Sequence, residues 1–117
     1  MDEHLQEIID RVHLPEDAGE YADRLTDVMQ RIPRGWGRWI SCNKGWYKII
    51  CETNEMMKYI DPDYEVHQVK EKFGTLRYYC GTTLGWDTIP GKIMQALERR
   101  AEELSRMTCE LCGKAQY

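Results

Sequence analysis

The stretch QVKEKFGTLRYYCG, residues 68–81, decides the fold, because it places a turn inside a run of residues typical of strands. Gly74 can adopt the positive φ that a tight turn from Lys72 to Thr75 requires. Residues two apart in a strand share a face. We therefore expect one face of the return strand, Leu76, Tyr78 and Cys80, to point to the core, and the other, Thr75, Arg77 and Tyr79, to point outward.

The segment before the turn, residues 64–72, predicts the partner strand of an antiparallel hairpin. Strict alternation places Val66 and Val69 on opposite faces. A two-stranded hairpin needs a helix or a third strand to cover it, and the segment around Trp39 and Ile40 is a candidate for that strand. The hairpin also predicts an exposed edge, so we expect a homo-oligomer to form through the sheet or through the long C-terminal helix.

Apolar residues at spacings of three and four predict helices on both sides of the hairpin. The helices cover residues 2–12, 20–32, 46–60 and 89–107. The buried stripe predicted for the last one is Ile93, Leu97, Ala101 and Leu104. The fold class is therefore α+β: N-terminal helices, a small antiparallel sheet centred on residues 64–80, and a long C-terminal helix that ends in a CxxC turn.

The composition is that of one globular domain, residues 1–117, with 42% hydrophobic and 31% charged residues. The net charge of −4 is unevenly distributed: the acidic helical part, residues 1–33, holds nine acids and three bases, whereas residues 34–117 hold eleven acids and thirteen bases. Residues 34–113 form the basic and aromatic α+β core. No apolar run approaches the ~18 residues that span a membrane, and the acidic N-terminus does not resemble a secretory signal. We therefore expect a cytoplasmic protein without a membrane partner.

Basic and aromatic side chains are interleaved in residues 34–48 and 68–81. The first of these segments contains four bases, three Trp, one Tyr and no acid. Aromatic rings stack on bases and Arg binds phosphate with a bidentate fork, but Trp, Tyr and Arg also dominate protein interfaces. Packing in the core is the alternative for the aromatic rings. The predicted ligand-binding residues are Arg34, Trp36, Arg38, Trp39, Lys44, Lys70, Lys72, Arg77 and Tyr79.

The motif Cys109-Glu-Leu-Cys112-Gly113 has the spacing of a metal knuckle, in which backbone amides donate hydrogen bonds to thiolates. Zinc takes four such ligands and this motif supplies two, so the zinc site is incomplete in one chain. The candidates for the missing ligands are Cys42, Cys51, Cys80, His67 or another subunit. A redox dithiol is disfavoured, because a helix ends before the motif instead of beginning there. A pair of unmetallated thiols is the remaining alternative.

The sequence contains no catalytic constellation. Glycine-rich phosphate loops, GxSxG, HExxH and the His-x-Glu of zinc deaminases are all absent. His67 lies alone in a predicted strand, where a structural hydrogen bond is the usual role, and His4 and His13 are predicted to face solvent. We therefore predict that the protein is not an enzyme.

The segment PDYEVHQVKEKFGTLRYY, residues 62–79, followed by a helix that runs into SRMTCELCG, residues 105–113, resembles a family of small uncharacterised bacteriophage and prophage proteins. The Gly-Trp pair within NKGWYKII fits as well, so the resemblance spans about residues 40–113. Longer members look as though they complete a zinc site with a second Cys and His pair, which does not follow Gly113 here. The resemblance implies a phage setting, in which small non-enzymatic proteins counter host defences.

These observations lead to one functional hypothesis and one alternative. The hypothesis is a non-enzymatic phage-type protein that acts by occupancy, as an inhibitor of a host defence protein or as a sequestering protein for a signal nucleotide. The alternative is a small zinc-knuckle module that binds nucleic acid. The acidity of residues 1–33 disfavours a long nucleic acid, whose binding would depend steeply on salt.

Overall fold

The computed structural model describes residues 2–116 and has the α+β fold predicted from the sequence. Its elements follow one another in the order α1 (Glu3–Asp10), α2 (Ala22–Gln30), α3 (Tyr47–Ile60), β1 (Glu65–Lys72), β2 (Thr75–Gly81) and α4 (Ile89–Arg106). Short 3-10 helices at Gly19–Tyr21 and Lys44–Trp46 lead into α2 and α3. Within residues 2–116, no helix is both long enough and apolar enough to cross a bilayer.

Local signals explain why the helix bounds lie close to the predicted ones. Thr88 accepts the backbone N–H of Gly91 at 3.1 Å, which caps the first turn of α4. Pro62 disfavours the helical conformation at Asp61, and α3 ends one residue earlier. Both signals depend only on neighbouring residues, so they can be recognised in the sequence.

A two-residue turn connects the strands of the hairpin. Phe73 and Gly74 both have positive φ, 54° and 78°, which is the backbone of a type I′ turn. Positive φ is free of strain for Gly74 and costs a non-glycine residue such as Phe73 about 1–2 kcal/mol. The turn sets the register in which Lys72 pairs with Thr75.

One inserted residue changes the face pattern of β1. Val66 and Gln68 pair with adjacent residues of β2, so His67 forms a β-bulge between them. Val66 and Val69 are consequently both buried. The predicted strict alternation, which placed Val69 on the face opposite Val66, is therefore wrong, because the bulge shifts the pattern by one residue.

Helix α4 covers the free edge of β2. The backbone N–H of Leu76 donates to the Ser105 hydroxyl at 2.8 Å, and the backbone N–H of Cys80 donates to Glu98 Oε2 at 2.8 Å. Side chains of α4 thus satisfy donors that would otherwise be available to pair with another strand.

The edge of β1 is covered by the segment that carries Trp39. Ser41 donates its N–H to the Val69 carbonyl at 3.0 Å and accepts the N–H of Glu71 at 2.9 Å. This contact is an isolated bridge, so the predicted third strand does not form; pairing stops after one residue because the chain bends at Cys42. Backbone groups at the edges of both strands are thus hydrogen-bonded to other parts of the protein, and the prediction of an exposed sheet edge is also wrong.

The hydrophobic core lies between the inner face of the hairpin and helices α2, α3 and α4. Its largest side chains include Leu25, Val28, Trp46, Ile50, Met57, Val66, Leu76, Tyr78 and Met94. The predicted stripe of α4 is wrong at Ile93, which is exposed, while Met94 is buried instead. The reason lies in the preceding turn: Gly91 packs on the backbone of Gly85, where a Cβ would come within 1.9 Å of the carbonyl oxygen. Met94 lies on the same side of the helix as Gly91 and therefore faces the core.

A chain of buried hydrogen bonds joins the hairpin to two helices. The hydroxyls of Tyr78 and Tyr64 lie 2.7 Å apart, and Tyr64 donates to the Asn54 side-chain oxygen. Asn54 in turn donates to Asp27 Oδ2 at 2.6 Å. Burial raises the pKa of Tyr78 well above its ordinary value, so its hydroxyl stays a neutral hydrogen-bonding group.

Candidate functional site

The outer face of the hairpin is the candidate binding surface. Lys70 pairs with Arg77 and Gln68 with Tyr79, and all four lie on the side opposite the buried Tyr78. We call this surface the hairpin face and define it by Trp36, His67, Gln68, Lys70, Lys72, Arg77 and Tyr79.

The predicted faces of the return strand are confirmed except at one residue. Leu76, Tyr78 and Cys80 are buried, and Tyr79 is exposed. Thr75, which was predicted to point outward, is buried, because the C-terminal part of α4 covers this end of β2.

Trp36 joins the hairpin face by packing on His67. The ring centroids lie 4.8 Å apart with a tilt of 49°, and 59% of Trp36 remains exposed. The imidazole lies over Gly81, where a Cβ would come within 2.7 Å of the ring, and its Nε2 is 3.3 Å from Glu65. The bulge that displaces His67 from the alternation therefore supplies the platform on which Trp36 packs.

A second Trp is held by a second histidine. The rings of Trp39 and His13 stack in parallel, with centroids 3.8 Å apart and an angle of 7° between the planes. His13 Nε2 donates to the Ile8 carbonyl at 2.7 Å, which fixes the orientation of its ring. Trp39 nevertheless remains 47% exposed. The prediction that His13 faces solvent is wrong, because its ring is covered by Trp39.

The three arginines predicted to bind ligand make contacts within the protein. Arg34 Nε lies 3.1 Å from Asp10 Oδ2. Arg38 donates to the carbonyls of Ile32 and Asp10 at 3.0 and 2.9 Å. Arg77 forms an ion pair of 3.0 Å with Glu102 of α4. Arg38 and Arg77 therefore have less to offer a phosphate, which weakens the nucleotide interpretation, whereas the Arg34 side chain remains 78% exposed.

Asp10 is the centre of the contacts made by the segment after α2. Hydrogen bonds from the Gln6 side chain and from the backbone N–H of Gly35 hold the pKa of Asp10 below its ordinary value, and Arg34 adds to the effect. The carboxylate thereby ties the first helix to residues 34 and 35. The glycine has a φ of +87°, which a residue with a side chain rarely adopts, so the sequence Arg-Gly suits this contact.

The three predicted lysines differ from the arginines. Lys44, Lys70 and Lys72 form no ion pair among residues 2–116. Lys72 extends over the ring of Phe73, with Nζ 5.6 Å from the centroid, at the exposed tip of the hairpin. Lys70 and Lys72 therefore give the hairpin face positive charge that the described residues do not neutralise.

Lys44 does not lie on the hairpin face. It lines a separate groove of about 570 Å³, together with Lys48, Arg100, Cys112 and acidic side chains that include Asp17. The structure thus brings Trp36, Lys70, Lys72, Arg77 and Tyr79 together, and it places Arg34, Arg38 and Trp39 in a second group around Asp10 and His13.

The aromatic residues divide between the core and the surface. Trp46, Tyr47 and Tyr78 are buried, as the core alternative predicts, whereas Trp36, Trp39, Phe73 and Tyr79 are exposed. The cleft that touches the hairpin face, between β2 and α4, has a volume of only about 170 Å³. Small-molecule pockets usually measure roughly 300–1,000 Å³. The face is therefore a surface with a shallow cleft beside it.

The CxxC motif lies in a tight turn after α4, which we call the Cys turn, residues 107–116. Two main-chain hydrogen bonds join its ends: the N–H of Gln116 donates to the Met107 carbonyl at 2.7 Å, and the N–H of Cys109 donates to the Lys114 carbonyl at 2.8 Å. Gly113 also donates its N–H to the Cys109 carbonyl at 2.8 Å. The neighbouring Cys112, followed by the backbone amides of the turn, lowers the pKa of the Cys109 thiol below its ordinary value.

The other predicted metal ligands do not join this pair. Cys51 and Cys80 are buried in the core, and His67 lies under Trp36. Cys42 is half-buried, and no group of three or more His, Cys, Asp or Glu residues that could hold a metal occurs within residues 2–116. The prediction that one of these residues completes the site within the chain is therefore not supported in the described part. The positions of the cysteines in the sequence give no signal of this, because it is the fold that places Cys51 and Cys80 in the core, apart from the CxxC motif.

No family model, curated protein or solved structure matches this chain.

Proposed function

We propose that this protein is a non-enzymatic binding protein that acts by occupancy, docking its hairpin face and Trp39 on an acidic surface of a protein partner. The exposure of Trp36 and Trp39 carries this proposal. Tryptophan is among the residues most enriched in the hot spots of protein interfaces. Each of the two rings already packs on a histidine, so binding would cost little additional side-chain entropy.

The charges of the hairpin face support an acidic partner. Lys70 and Lys72 are free of ion pairs in the described part of the chain, and both extend from the strand that carries His67. Charges at the rim of an interface mainly steer association and select the partner. A partner with Asp or Glu side chains opposite the two lysines would associate faster and would be selected over partners without such charges.

A protein partner fits this surface better than a signal nucleotide does. Two of the three arginines that would clamp a phosphate, Arg38 and Arg77, are bound to backbone carbonyls and to Glu102. The adjoining cleft is also too small to enclose a nucleotide. A standard protein interface needs only a surface of about 800 Å² per partner. That area is roughly a tenth of the 7247 Å² surface of this structure.

The resemblance to phage and prophage proteins supports the biological setting of this proposal. In that setting the protein is an inhibitor of a host defence protein in the cytoplasm of the bacterial cell. Inhibition would follow from coverage of the partner's surface, without chemistry.

A comparative pull-down from bacterial lysate tests the proposal. The baits are the wild-type chain, Trp36→Ala, Lys70→Glu and, as a matched control, Trp86→Ala, which removes a Trp of 40% exposure from the loop before α4. Proteins that wild type and Trp86→Ala retain, and that the other two baits lose, are quantified by mass spectrometry. Each is then purified and titrated by calorimetry. Loss of a hot-spot Trp should cost about 2 kcal/mol or more, which is roughly 30-fold in Kd.

Three outcomes would contradict the proposal. One is a protein that Trp36→Ala and wild type bind equally well. Another is a small ultraviolet-absorbing compound released from the purified protein by heat, which would indicate a nucleotide sponge. The third is binding to nucleic acid with a steep salt dependence, which would favour the nucleic-acid module.

A further inference from the structure

The Cys turn presents two thiols in a form suited to a metal. Main-chain hydrogen bonds close the turn: Gly113 donates to the Cys109 carbonyl and Cys109 donates to the Lys114 carbonyl, both at 2.8 Å. This closure places both cysteines of the CxxC motif on one tight turn, as two ligands of a shared metal ion require. Gly113 has a φ of +77°, which allows the chain to reverse directly after the second cysteine.

The Cys turn is anchored to the start of α3. The carboxylate of Glu110 accepts the backbone and side-chain N–H of Asn43 at 2.9 and 3.0 Å, and its carbonyl accepts the N–H of Gly45 at 2.7 Å. A Cβ on Gly45 would lie 2.1 Å from the Cys109 carbonyl, so glycine alone permits this contact. The indole of Trp46 donates to the Thr108 carbonyl at 3.0 Å. The position of the two thiols is therefore set before any ligand arrives.

The coordination number requires ligands from a second source. Zinc in structural sites takes four ligands in a tetrahedron, and a CxxC turn fills two positions. Within the described residues no third group joins the pair. Cys112 is exposed, and Leu111 between the two cysteines is an exposed apolar side chain. The open side of the pair is thus accessible to another chain, and the adjacent leucine offers apolar surface that a contact there would bury.

We propose that Cys109 and Cys112 form half of a zinc site and that a second copy of this chain supplies the other half. A two-fold axis through the metal brings the same two thiols from each copy and completes a tetrahedral set of four sulfurs. Such a site carries a net charge of −2, and Lys114, which follows the turn, and Lys44, beside Gly45, place positive charge near it. The predicted homo-oligomer then forms through the Cys turn, since the sheet edges are covered.

Zinc stoichiometry and mass measured on the same sample test this proposal. The full chain, free of any histidine tag, is purified without chelator under reducing conditions. Metal is measured by plasma mass spectrometry and oligomeric state by sedimentation velocity. We expect one zinc per two chains, a dimer that a chelator converts to monomer, and recovery of the dimer when zinc alone is added back. Cobalt in place of zinc should give the visible spectrum of tetrahedral sulfur coordination.

Two variants separate the site from the general fold. Cys112→Ser should lose both the zinc and the dimer while it keeps the wild-type circular dichroism, because Cys112 is exposed. Cys42→Ser is the matched control and should retain both. One zinc per monomer, a reduced protein that takes up no zinc, or a dimer that survives the chelator would each overturn the proposal. A Cys42→Ser variant that loses zinc would overturn it as well, because the chain would then supply a third ligand itself.

Discussion

Replacement of Arg77 separates the architecture of the hairpin from its binding function. The guanidinium Nη1 lies 3.0 Å from Glu102 Oε1, and both side chains retain 25% exposure. Because this pair joins β2 to α4, we expect Arg77→Ala to lower the free energy of unfolding by about 1–2 kcal/mol. We expect it to reduce partner binding less than Lys70→Ala does, although Lys70 is directly opposite on the same face.

The magnitude follows from the burial of the pair. Exposed ion pairs contribute roughly 0.2–1 kcal/mol, and loss of one partner of a buried pair costs about 3–5 kcal/mol. At a quarter of full exposure, the pair with Glu102 lies between these limits. One feature lowers the cost: Arg77 Nε is buried without a hydrogen-bond partner among the described residues, and truncation removes that unsatisfied donor. The expected loss in the free energy of unfolding therefore lies closer to the value for an exposed pair than to the value for a buried one.

Urea unfolding, followed by tryptophan fluorescence, measures this effect. With a slope of about 2 kcal/mol per molar urea, the middle of the usual range, the midpoint should fall by roughly 0.5–1 M in Arg77→Ala. Glu102→Gln should shift it in the same direction and slightly further, because Glu102 also loses its pair with Arg106 at 3.3 Å. The double variant should add little to Glu102→Gln, since both changes remove the pair between Arg77 and Glu102. Lys70→Ala should leave the midpoint within about 0.5 kcal/mol of wild type. An unchanged midpoint in Arg77→Ala, together with a more than tenfold loss of partner binding, would contradict a structural role for Arg77, because the guanidinium would then contact the partner and would not stabilise the fold.

Three further predictions concern stability. Tyr64→Phe should lower the free energy of unfolding by about 2–5 kcal/mol, because it leaves the buried Tyr78 hydroxyl and the Asn54 oxygen unpaired. Tyr78→Phe removes only the last member of this hydrogen-bond chain and should cost about 0.5–1.5 kcal/mol. Equal losses in urea unfolding would contradict this order. Leu76→Ala should cost about 2–5 kcal/mol as a truncation in the core, measured in the same way. The hydrogen bonds from Arg24 hold the pKa of Glu55 below 4.5, so this pair stabilises the fold above that pH and the contribution is lost as the pH falls through the lowered value. The difference in midpoint between wild type and Arg24→Gln should therefore shrink between pH 7 and about pH 3.

The parts of the fold that follow from local pattern were predictable. The hairpin turn needs positive φ at Gly74, and the alternation of the return strand assigns Leu76 and Tyr78 to one face. The long helix α4 follows from its spacing of apolar residues and its cap at Thr88. Each of these inferences uses residues close together in the chain, where steric and hydrogen-bonding rules act without knowledge of the remaining structure.

The composition of the site depended on contacts between distant residues, and these have no local signal. His67 forms a bulge, which a sequence of alternating residues does not mark, and His13 reaches Trp39 across 26 positions. Residue type alone could not separate the arginines, which are bound to partners in the protein, from the free lysines. An Asp or Glu capable of pairing with Arg77 occurs at many positions, and only the packing of α4 on β2 selects Glu102.

The two proposed sites acquire a joint consequence if the zinc-held dimer forms. Each dimer then carries two hairpin faces, one from each copy, at a separation fixed by the anchored Cys turns. Against a partner that is itself oligomeric, or that is present at high density, the second contact becomes intramolecular, and overall affinity can rise 10²–10⁴-fold without any new contact when the geometry allows both contacts at once. Zinc would also stabilise the folded chain, because a metal held only by the native Cys turn draws the folding equilibrium toward that state. A protein that acts by occupancy gains most from such an arrangement, because its effect depends on residence on the partner and not on turnover. Removal of zinc should therefore weaken binding to a multivalent partner far more than binding to an isolated monomeric one, and equal weakening of both would show that the two sites act independently.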